Sequence, residues 1–175
     1  MNIIDFPYKI SKPVESYDQI KTEADELKRF ILNKKNFKGK MKKMYAIHHS
    51  QVSTDPYNFF VLHPKLVLGQ GDQVWPSRVI INPEIIWTDP NPLAWQELLE
   101  ACASFPYHSP IKARRCLNIT VKYQILKPDG SLETIKEPMT NLKAEIFSHE
   151  TDHGLGQTIY SFRNKSDSGI RRFER

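Results

Sequence analysis

The sequence contains few cysteines and no long apolar run, and both shortages exclude classes of protein. Its two cysteines, Cys102 and Cys116, are too few for the disulfide framework of a small secreted domain. No segment approaches the roughly 20 consecutive apolar residues that a membrane-spanning helix needs. The first residues lack the basic start and apolar core of a secretory signal, and they carry acids without an early arginine, unlike a transit peptide. We therefore expect a reducing, cytoplasmic environment.

The remaining composition is typical of one folded domain. A chain of 175 residues is long enough to bury a substantial core. Its hydrophobic fraction of 39% and charged fraction of 26% fit a soluble globular protein. Because there is no internal repeat, low-complexity block or linker, we predict a single domain over residues 1–175, in which residues 163–175 form a basic tail.

The net charge of +5 is concentrated in two segments. Residues 34–43 carry six lysines and no acid, and residues 163–175 carry five basic residues against two acids. Runs of like charge are usually solvated loops and tails, but clustered lysines also attract phosphate groups. The second interpretation predicts proximity to RNA, such as that of the ribosome. Without an RNA-binding signature, we predict no sequence-specific nucleic acid partner and no membrane partner.

Hydrophobic spacing predicts a helix, several strands and a final helix. Apolar residues recur at helical spacing over 16–33, and strand-like runs cover 58–64 and 77–87. Residues 117–137 contain Pro-Asp-Gly between two extended runs, which predicts a hairpin. The last helix starts at Thr140 or Asn141 and ends near Gly154 or Gly156. This order predicts an α+β fold with mostly antiparallel strand pairing.

The segment FSHETDHGLG, residues 147–156, contains two histidines four positions apart, and a glutamate follows the first. In a helix, His149 and His153 lie one turn apart on one face. Two buried imidazoles are costly unless a polar group satisfies them. A metal ion does so, whereas the alternative is a pair of hydrogen-bonded core histidines. Glu150 lies beside them, where a base acting on metal-bound water is needed.

A third metal ligand is not found downstream of this motif. The metzincin protease pattern places a histidine six residues after His153, but that position is Ile159, and the only later glutamate is Glu174 near the end. Because catalytic sites usually have three protein ligands, the third must come from upstream. The upstream candidates are Cys102, Cys116, His48, His49, His63 and His108. Two of them, His63 and His108, lie near prolines and are expected at the surface.

Four segments in order resemble the peptide deformylase family. SHETDH (148–153) fits the family's H-E-x-D-H motif, and EACAS (100–104) fits its E-G-C-L-S motif with two alanine replacements. VIINPEI (79–85) resembles a V-L-I-N-P-E-L strand, and MYAIHHSQV (44–52) fits G-x-G-L-A-A-x-Q in outline. The resemblance covers residues 18–162. It implies mostly antiparallel sheets packed around a central, metal-binding H-E-x-x-H helix.

The resemblance also implies roles for individual residues. The implied metal ligands are Cys102, His149 and His153, and the general base is Glu150. The Gln51 amide and the N–H of Ala103 would stabilise the oxyanion. Substrate contacts are implied for Ala46, Ile47, Glu100, Glu145 and Ile146. The family's usual ion is Fe²⁺, which zinc, nickel or cobalt can replace, and these ligands suit all four.

Five residues depart from the family pattern in ways that affect the expected function. Met44 and Ala46 replace glycines, and His48 and His49 replace alanines near the active site. These histidines would add bulk, supply extra ligands or turn outward with their loop. Glu145 replaces an apolar residue of the pocket for the first substrate side chain.

Three functions therefore remain open. The first is removal of the N-formyl group from the N-terminal methionine of nascent peptides, releasing formate. The second is a catalytically impaired peptide-binding module, and the third is a zinc endopeptidase. In the first, Asp152 is expected to hold an arginine, with Arg114 and Arg115 as candidates.

Overall fold

The computed structural model describes residues 2–4, 8–33, 44–67, 75–105 and 110–162. The two basic segments, 34–43 and 163–175, and His108 lie outside the described residues. The helices are α1 (Lys21–Phe30), α2 (Pro64–Val67) and α3 (Asn141–Gly154). The strands are β1 (Ala46–His48), β2 (Phe59–Leu62), β3 (Val79–Thr88), β4 (Trp95–Glu100), β5 (Ile111–Cys116), β6 (Asn118–Leu126) and β7 (Leu132–Thr140). None of the helices in this part of the chain combines the length and apolar character needed to span a bilayer.

The strands form two sheets. A five-stranded sheet has the order β1-β2-β3-β6-β7, and β4 and β5 form a separate two-stranded sheet. Every pairing between these strands is antiparallel. The β6–β7 hairpin closes through the Pro-Asp-Gly turn, where Gly130 has a φ of 87°. The predicted α+β fold with mostly antiparallel sheets is therefore confirmed.

Two apolar clusters cover opposite faces of the large sheet. On β2, Phe60 and Leu62 face the cluster that contains Phe147 of α3. Their neighbours Phe59 and Val61 face the cluster that contains residues of α1. Successive strand side chains point to opposite faces, so a strand covered on both sides becomes an uninterrupted apolar run. This explains the sequence FFVL.

Helix α3 lies against the large sheet through Phe147, which is fully buried. Its ring centroid lies 5.8 Å from that of Phe60, 6.3 Å from that of Trp75 and 5.9 Å from that of Tyr123. The helix ends at Gly154, and Gly156 follows with a φ of 72°. A Cβ at Gly156 would lie 2.8 Å from the carbonyl oxygen of Tyr8, so both the turn and the close approach favour glycine there.

The predicted elements are found with shifted ends, and three strands are additional. Helix α1 occupies the centre of the predicted segment 16–33, and α3 begins and ends where capping signals predicted. Strands β1, β4 and β5 were missed. β4 reads WQELLE, whose Gln, Glu and Leu favour helix in isolation. Pairing with β5 overrides that preference.

Replacing Phe147 with alanine should lower the free energy of unfolding by about 3–5 kcal/mol, because a buried ring is lost and a cavity remains. Denaturant unfolding measures this change. The exposed Leu93, 84% accessible, provides the control, since Leu93→Ala should change the same quantity by less than about 0.5 kcal/mol. Equal effects at both positions would contradict the packing described for α3.

Candidate metal centre and active site

A thiol and two imidazoles converge between the end of β4 and helix α3. One ligand atom from each of Cys102, His149 and His153 lies within 4.8 Å of the others. The Cys102 Sγ and His153 Nε2 atoms are 3.3 Å apart, and both residues are buried. The other upstream candidates within the described residues, including Cys116 and His63, are not part of this group.

In both histidines one ring nitrogen contacts a hydrogen-bond acceptor, and the other nitrogen is the one that could bind a metal ion. His149 Nδ1 lies 2.8 Å from Glu100 Oε2, and His153 Nδ1 lies 3.1 Å from the carbonyl oxygen of Gln157. Because a carbonyl oxygen and an ionised carboxylate only accept, these contacts assign the proton to Nδ1 in both rings. In a neutral ring the lone pair is then on Nε2, and in His153 this atom faces Cys102 Sγ at 3.3 Å. Against the effect of burial, hydrogen bonds to Cys102 and Glu100 raise the pKa of His149, so binding of a metal ion there would release the proton from Nε2. A histidine held in this way by an acceptor is typical of metal ligands, so the site fits a metal ion.

A buried ion-pair network surrounds these ligands. Arg115 Nε and Nη2 donate to the two oxygens of Glu100 at 2.6 and 2.8 Å, and Nη1 donates to Asp152 at 2.8 Å. Burial opposes the charge of Arg115, but the charge of Asp152 and the hydrogen bond to Glu100 raise its pKa. Burial also opposes the charge of Glu100, yet the hydrogen bonds from Arg115 and His149 lower its pKa to about 2. Of the two candidate arginines, Arg115 therefore holds Asp152.

Glu150 is a buried carboxylate with one unused oxygen. It is 4% exposed, and its Oε2 has no hydrogen-bond partner among the described residues. Burial, together with the charges of Asp152 and Glu100, raises the pKa of Glu150 to about 7 against the opposing effect of His149. A carboxyl group with such a pKa can both accept and release a proton near neutral pH.

A cavity of about 250 Å³ opens beside these groups. Its lining combines the first and middle turns of α3, the end of β4 and the segment that leads into β1. The lining residues are Met44, Tyr45, Ala46, Gln51, Leu99, Glu100, Ala101, Ala103, Leu142, Glu145, Ile146, His149 and Glu150. Most of the residues predicted to contact substrate thus lie together. Ile47 differs from the prediction, because its side chain is fully buried in the cluster beside α1.

Gln51 is fixed at the cavity wall by contacts to both of its side-chain groups. Its Oε1 accepts the N–H of His48 at 2.9 Å. Its Nε2 donates to Ser104 Oγ at 2.9 Å and lies 3.7 Å from Cys102 Sγ. The amide therefore points its donors toward the ligand cluster, where an oxyanion-stabilising group would be required.

His48 and His49 neither turn outward nor join the ligand cluster. They are 0% and 3% exposed, and they are absent from the cavity lining. His48 Nδ1 accepts the N–H of Ser50 at 3.1 Å, and its Nε2 lies 3.3 Å from Asn58 Oδ1. His49 Nδ1 accepts the N–H of Tyr57 at 3.0 Å. The expectations of an outward loop and of extra ligands are therefore wrong, and the added bulk of the two imidazoles lies outside the cavity lining.

Ser50 is a site residue that sequence reasoning missed. Its hydroxyl donates to the carbonyl oxygen of His153 at 2.9 Å. Gly154 makes this approach possible, since a Cβ there would lie 2.7 Å from Asn58 Oδ1 and 3.1 Å from His48 Nε2. The turn after β1 thus holds the end of α3. The signal available in the sequence was the glycine directly after the second histidine.

The buried neutral state of His49 should make folding stability depend on pH. Burial lowers its pKa from 6.5 to about 4, so below 6.5 the unfolded chain binds the proton more readily than the folded one. The free energy of unfolding should therefore decrease as the pH is lowered from 6.5 to about 4. This residue contributes up to about 1.4 kcal/mol per pH unit to the decrease. Above pH 6.5 the residue contributes no pH dependence.

The variant His49→Asn keeps an acceptor for the Tyr57 N–H but has no titratable group. Urea unfolding between about pH 7 and pH 5 should show a steeper loss of stability for the wild type than for this variant. Parallel curves would contradict a buried neutral imidazole at position 49.

Removing a proposed ligand should remove the metal. Cys102→Ala and His153→Ala should each lower the metal content sharply, because two donors cannot replace a three-ligand set. Elemental analysis of protein purified without oxygen measures this. Cys116→Ala is the matched control, since that thiol is also buried but lies outside the cluster. Full metal content in Cys102→Ala would exclude Cys102 from the ligand set.

Comparisons of the sequence and the fold with known proteins identify the family of this chain. A similar fold is found in a peptide deformylase from Plasmodium falciparum, with a TM-score of 0.68, 19% identity, and coverage of 96% of this chain and 89% of that one. A peptide deformylase from Legionella pneumophila also has a similar fold, with a TM-score of 0.63, 22% identity, and coverage of 91% of this chain and 83% of that one. No curated protein sequence matched significantly. The family model for polypeptide deformylase matches residues 8–168, and the chain therefore belongs to the polypeptide deformylase family.

Proposed function

We propose that this protein is a metal-dependent hydrolase that removes the N-formyl group from the N-terminal residue of peptides, including the methionine of nascent chains, and releases formate. The observation that carries the proposal is the position of Glu150. Glu150, whose Oε2 has no partner among the described residues, and His149 of the Cys102, His149 and His153 cluster both line one cavity. This combination of a base and an available ligand set is what hydrolysis of an amide requires.

The ligand set would hold one divalent ion, for which we propose Fe²⁺, with zinc, nickel or cobalt as replacements. When bound, the ion supplies Lewis acidity, which polarises a carbonyl oxygen and makes water more acidic. Cys102 supplies a negative charge to the ion, whereas both histidines supply neutral nitrogens. The acceptors Glu100 and Gln157 hold the imidazoles in this tautomer.

Glu150 transfers the proton in this mechanism. Its Oε2 accepts a proton from water as the water oxygen attacks the formyl carbon. The bond between the formyl carbon and the peptide nitrogen then breaks, and Glu150 returns the proton to that nitrogen. The first products are formic acid and a peptide with a free amine. At neutral pH the proton of the acid passes to the amine, which gives formate and an ammonium group, so atoms and charge balance. The raised pKa of Glu150 suits both steps.

Gln51 and Ala103 stabilise the negative charge that develops on the formyl oxygen. Both residues line the cavity, and the Gln51 amide is oriented by the His48 N–H. The N–H of Ala103 is not donated to any carbonyl among the described residues. Losing one such donor typically costs a factor of about 10² to 10³ in rate.

The alternative of an impaired peptide-binding module was motivated by the altered first motif. Its two histidines lie outside the cavity and pack within the protein. Assays of formate release from formyl-Met peptides, with and without a chelator, test the proposed function directly. Release that stops with the chelator and returns with added metal is expected. Cleavage of an unformylated peptide bond without formate release would favour the endopeptidase instead.

Glu150→Gln should retain the metal and lose turnover by about 10² to 10⁴, because an amide cannot accept the proton at neutral pH. Formate release and metal content are measured on the same sample. Glu133→Gln serves as the control, since Glu133 is exposed on β7. Normal turnover in the metal-loaded Glu150→Gln variant would remove Glu150 from the mechanism.

A further inference from the structure

Glu145 lies in the cavity wall one helical turn before His149. Its side chain is half-buried, and no hydrogen bond or ion pair to it is formed within the described part of the chain. Residues four apart on a helix are neighbours, with roughly 5–6 Å between their Cβ atoms. Glu145 therefore borders the space next to the reacting centre rather than the centre itself.

Among the described residues, no cation forms an ion pair with this carboxylate. The described residues that line the cavity include Glu100, Glu145 and Glu150 but neither lysine nor arginine. Arg115 lies near, yet its donors are used by Glu100 and Asp152. Burial and the charge of Glu100 raise the pKa of Glu145 against the opposing charges of Arg115 and His149, so its ionised form is only partly compensated. A positive group entering the cavity would supply that compensation.

Glu145 has apolar neighbours in the cavity lining. Leu142 and Ile146 flank Glu145 on α3, and Met44 lines the same cavity. Long cationic side chains bury a methylene stem along apolar surface and extend a charged end to a polar partner. An apolar wall with one free carboxylate matches that combination better than it matches a wholly apolar side chain.

We propose that Glu145 is a specificity-determining residue that selects formyl peptides whose first side chain ends in a cation, such as lysine or arginine. The proposal rests on the proposed deformylase function. The charged end of the substrate side chain pairs with Glu145, its methylene stem packs on Leu142 and Ile146, and its formyl group lies beside Glu150. A methionine side chain would instead leave the carboxylate unpaired.

The test compares formyl-Lys and formyl-norleucine peptides that are otherwise identical, because norleucine has a similar stem without the charge. The ratio of kcat/KM for lysine over norleucine is measured from formate release. The wild type should favour lysine, and Glu145→Gln should reduce the ratio by about tenfold, since only differential stabilisation of the two transition states changes it. Glu145→Lys should reverse the charge preference toward formyl-Glu peptides. Glu133→Gln should leave the ratio unchanged.

A binding measurement separates this proposal from the proposed function. Calorimetry with the same two peptides is carried out on Glu150→Gln and on the double variant Glu145→Gln/Glu150→Gln. If the lysine peptide binds more tightly than the norleucine peptide only when Glu145 is present, the proposal is supported, even if the wild type releases no formate. Absence of formate release by the wild type would overturn the deformylase function alone. If the lysine-to-norleucine ratio is the same with and without Glu145, in binding or in formate release, the proposal is overturned. Formate release by the wild type in that case leaves the deformylase function intact.

Discussion

The guanidinium of Arg115 donates to Glu100 at the end of β4 and to Asp152 within α3, and all three side chains are buried. It thereby joins the small sheet, which carries Cys102 just beyond β4, to the helix that carries both histidines. Removing one member of a buried ion pair typically costs about 3–5 kcal/mol, because the partner is left uncompensated. The arrangement of the ligand cluster therefore depends on an interaction that lies outside it.

The same network reaches the candidate metal ligands through one further contact. Glu100 accepts both from Arg115 and from His149 Nδ1, so the guanidinium orients the carboxylate that orients the imidazole. At the other end of α3, Ser50 and the carbonyl of Gln157 hold His153. Each histidine is thus fixed by groups that leave its Nε2 available. This explains how a helix and two separate chain segments form one site without a metal-binding loop.

The sequence predicted the parts of this site that local spacing determines. Two histidines at i and i+4 require a shared helix face, and the resemblance to a family supplied Cys102. Sequence spacing could not decide between Arg114 and Arg115, because the choice depends on which face of β5 meets α3. It also missed β4 and β5, whose residues adopt strands only through their mutual pairing.

His48 and His49 also show what sequence spacing cannot determine. Their replacement of small residues suggested a disturbed active site, yet both imidazoles accept backbone N–H groups and remain buried. The space for His48 comes from Gly154, more than 100 residues later in the chain. Such compensation between distant positions is visible only once the fold brings them together.

We propose that Arg115 preorganises the candidate metal site from outside the ligand set. The direct measurement is metal affinity, determined by competition with a chromophoric chelator, for Arg115→Lys and for Arg114→Lys. Lysine keeps the charge but loses the forked donor geometry, and loss of such supporting contacts typically weakens metal binding by about 10- to 100-fold. We expect this loss for Arg115→Lys and none for Arg114→Lys, because the side chain of Arg114 is exposed on the same strand. Wild-type metal affinity in a folded Arg115→Lys protein would contradict this role of Arg115.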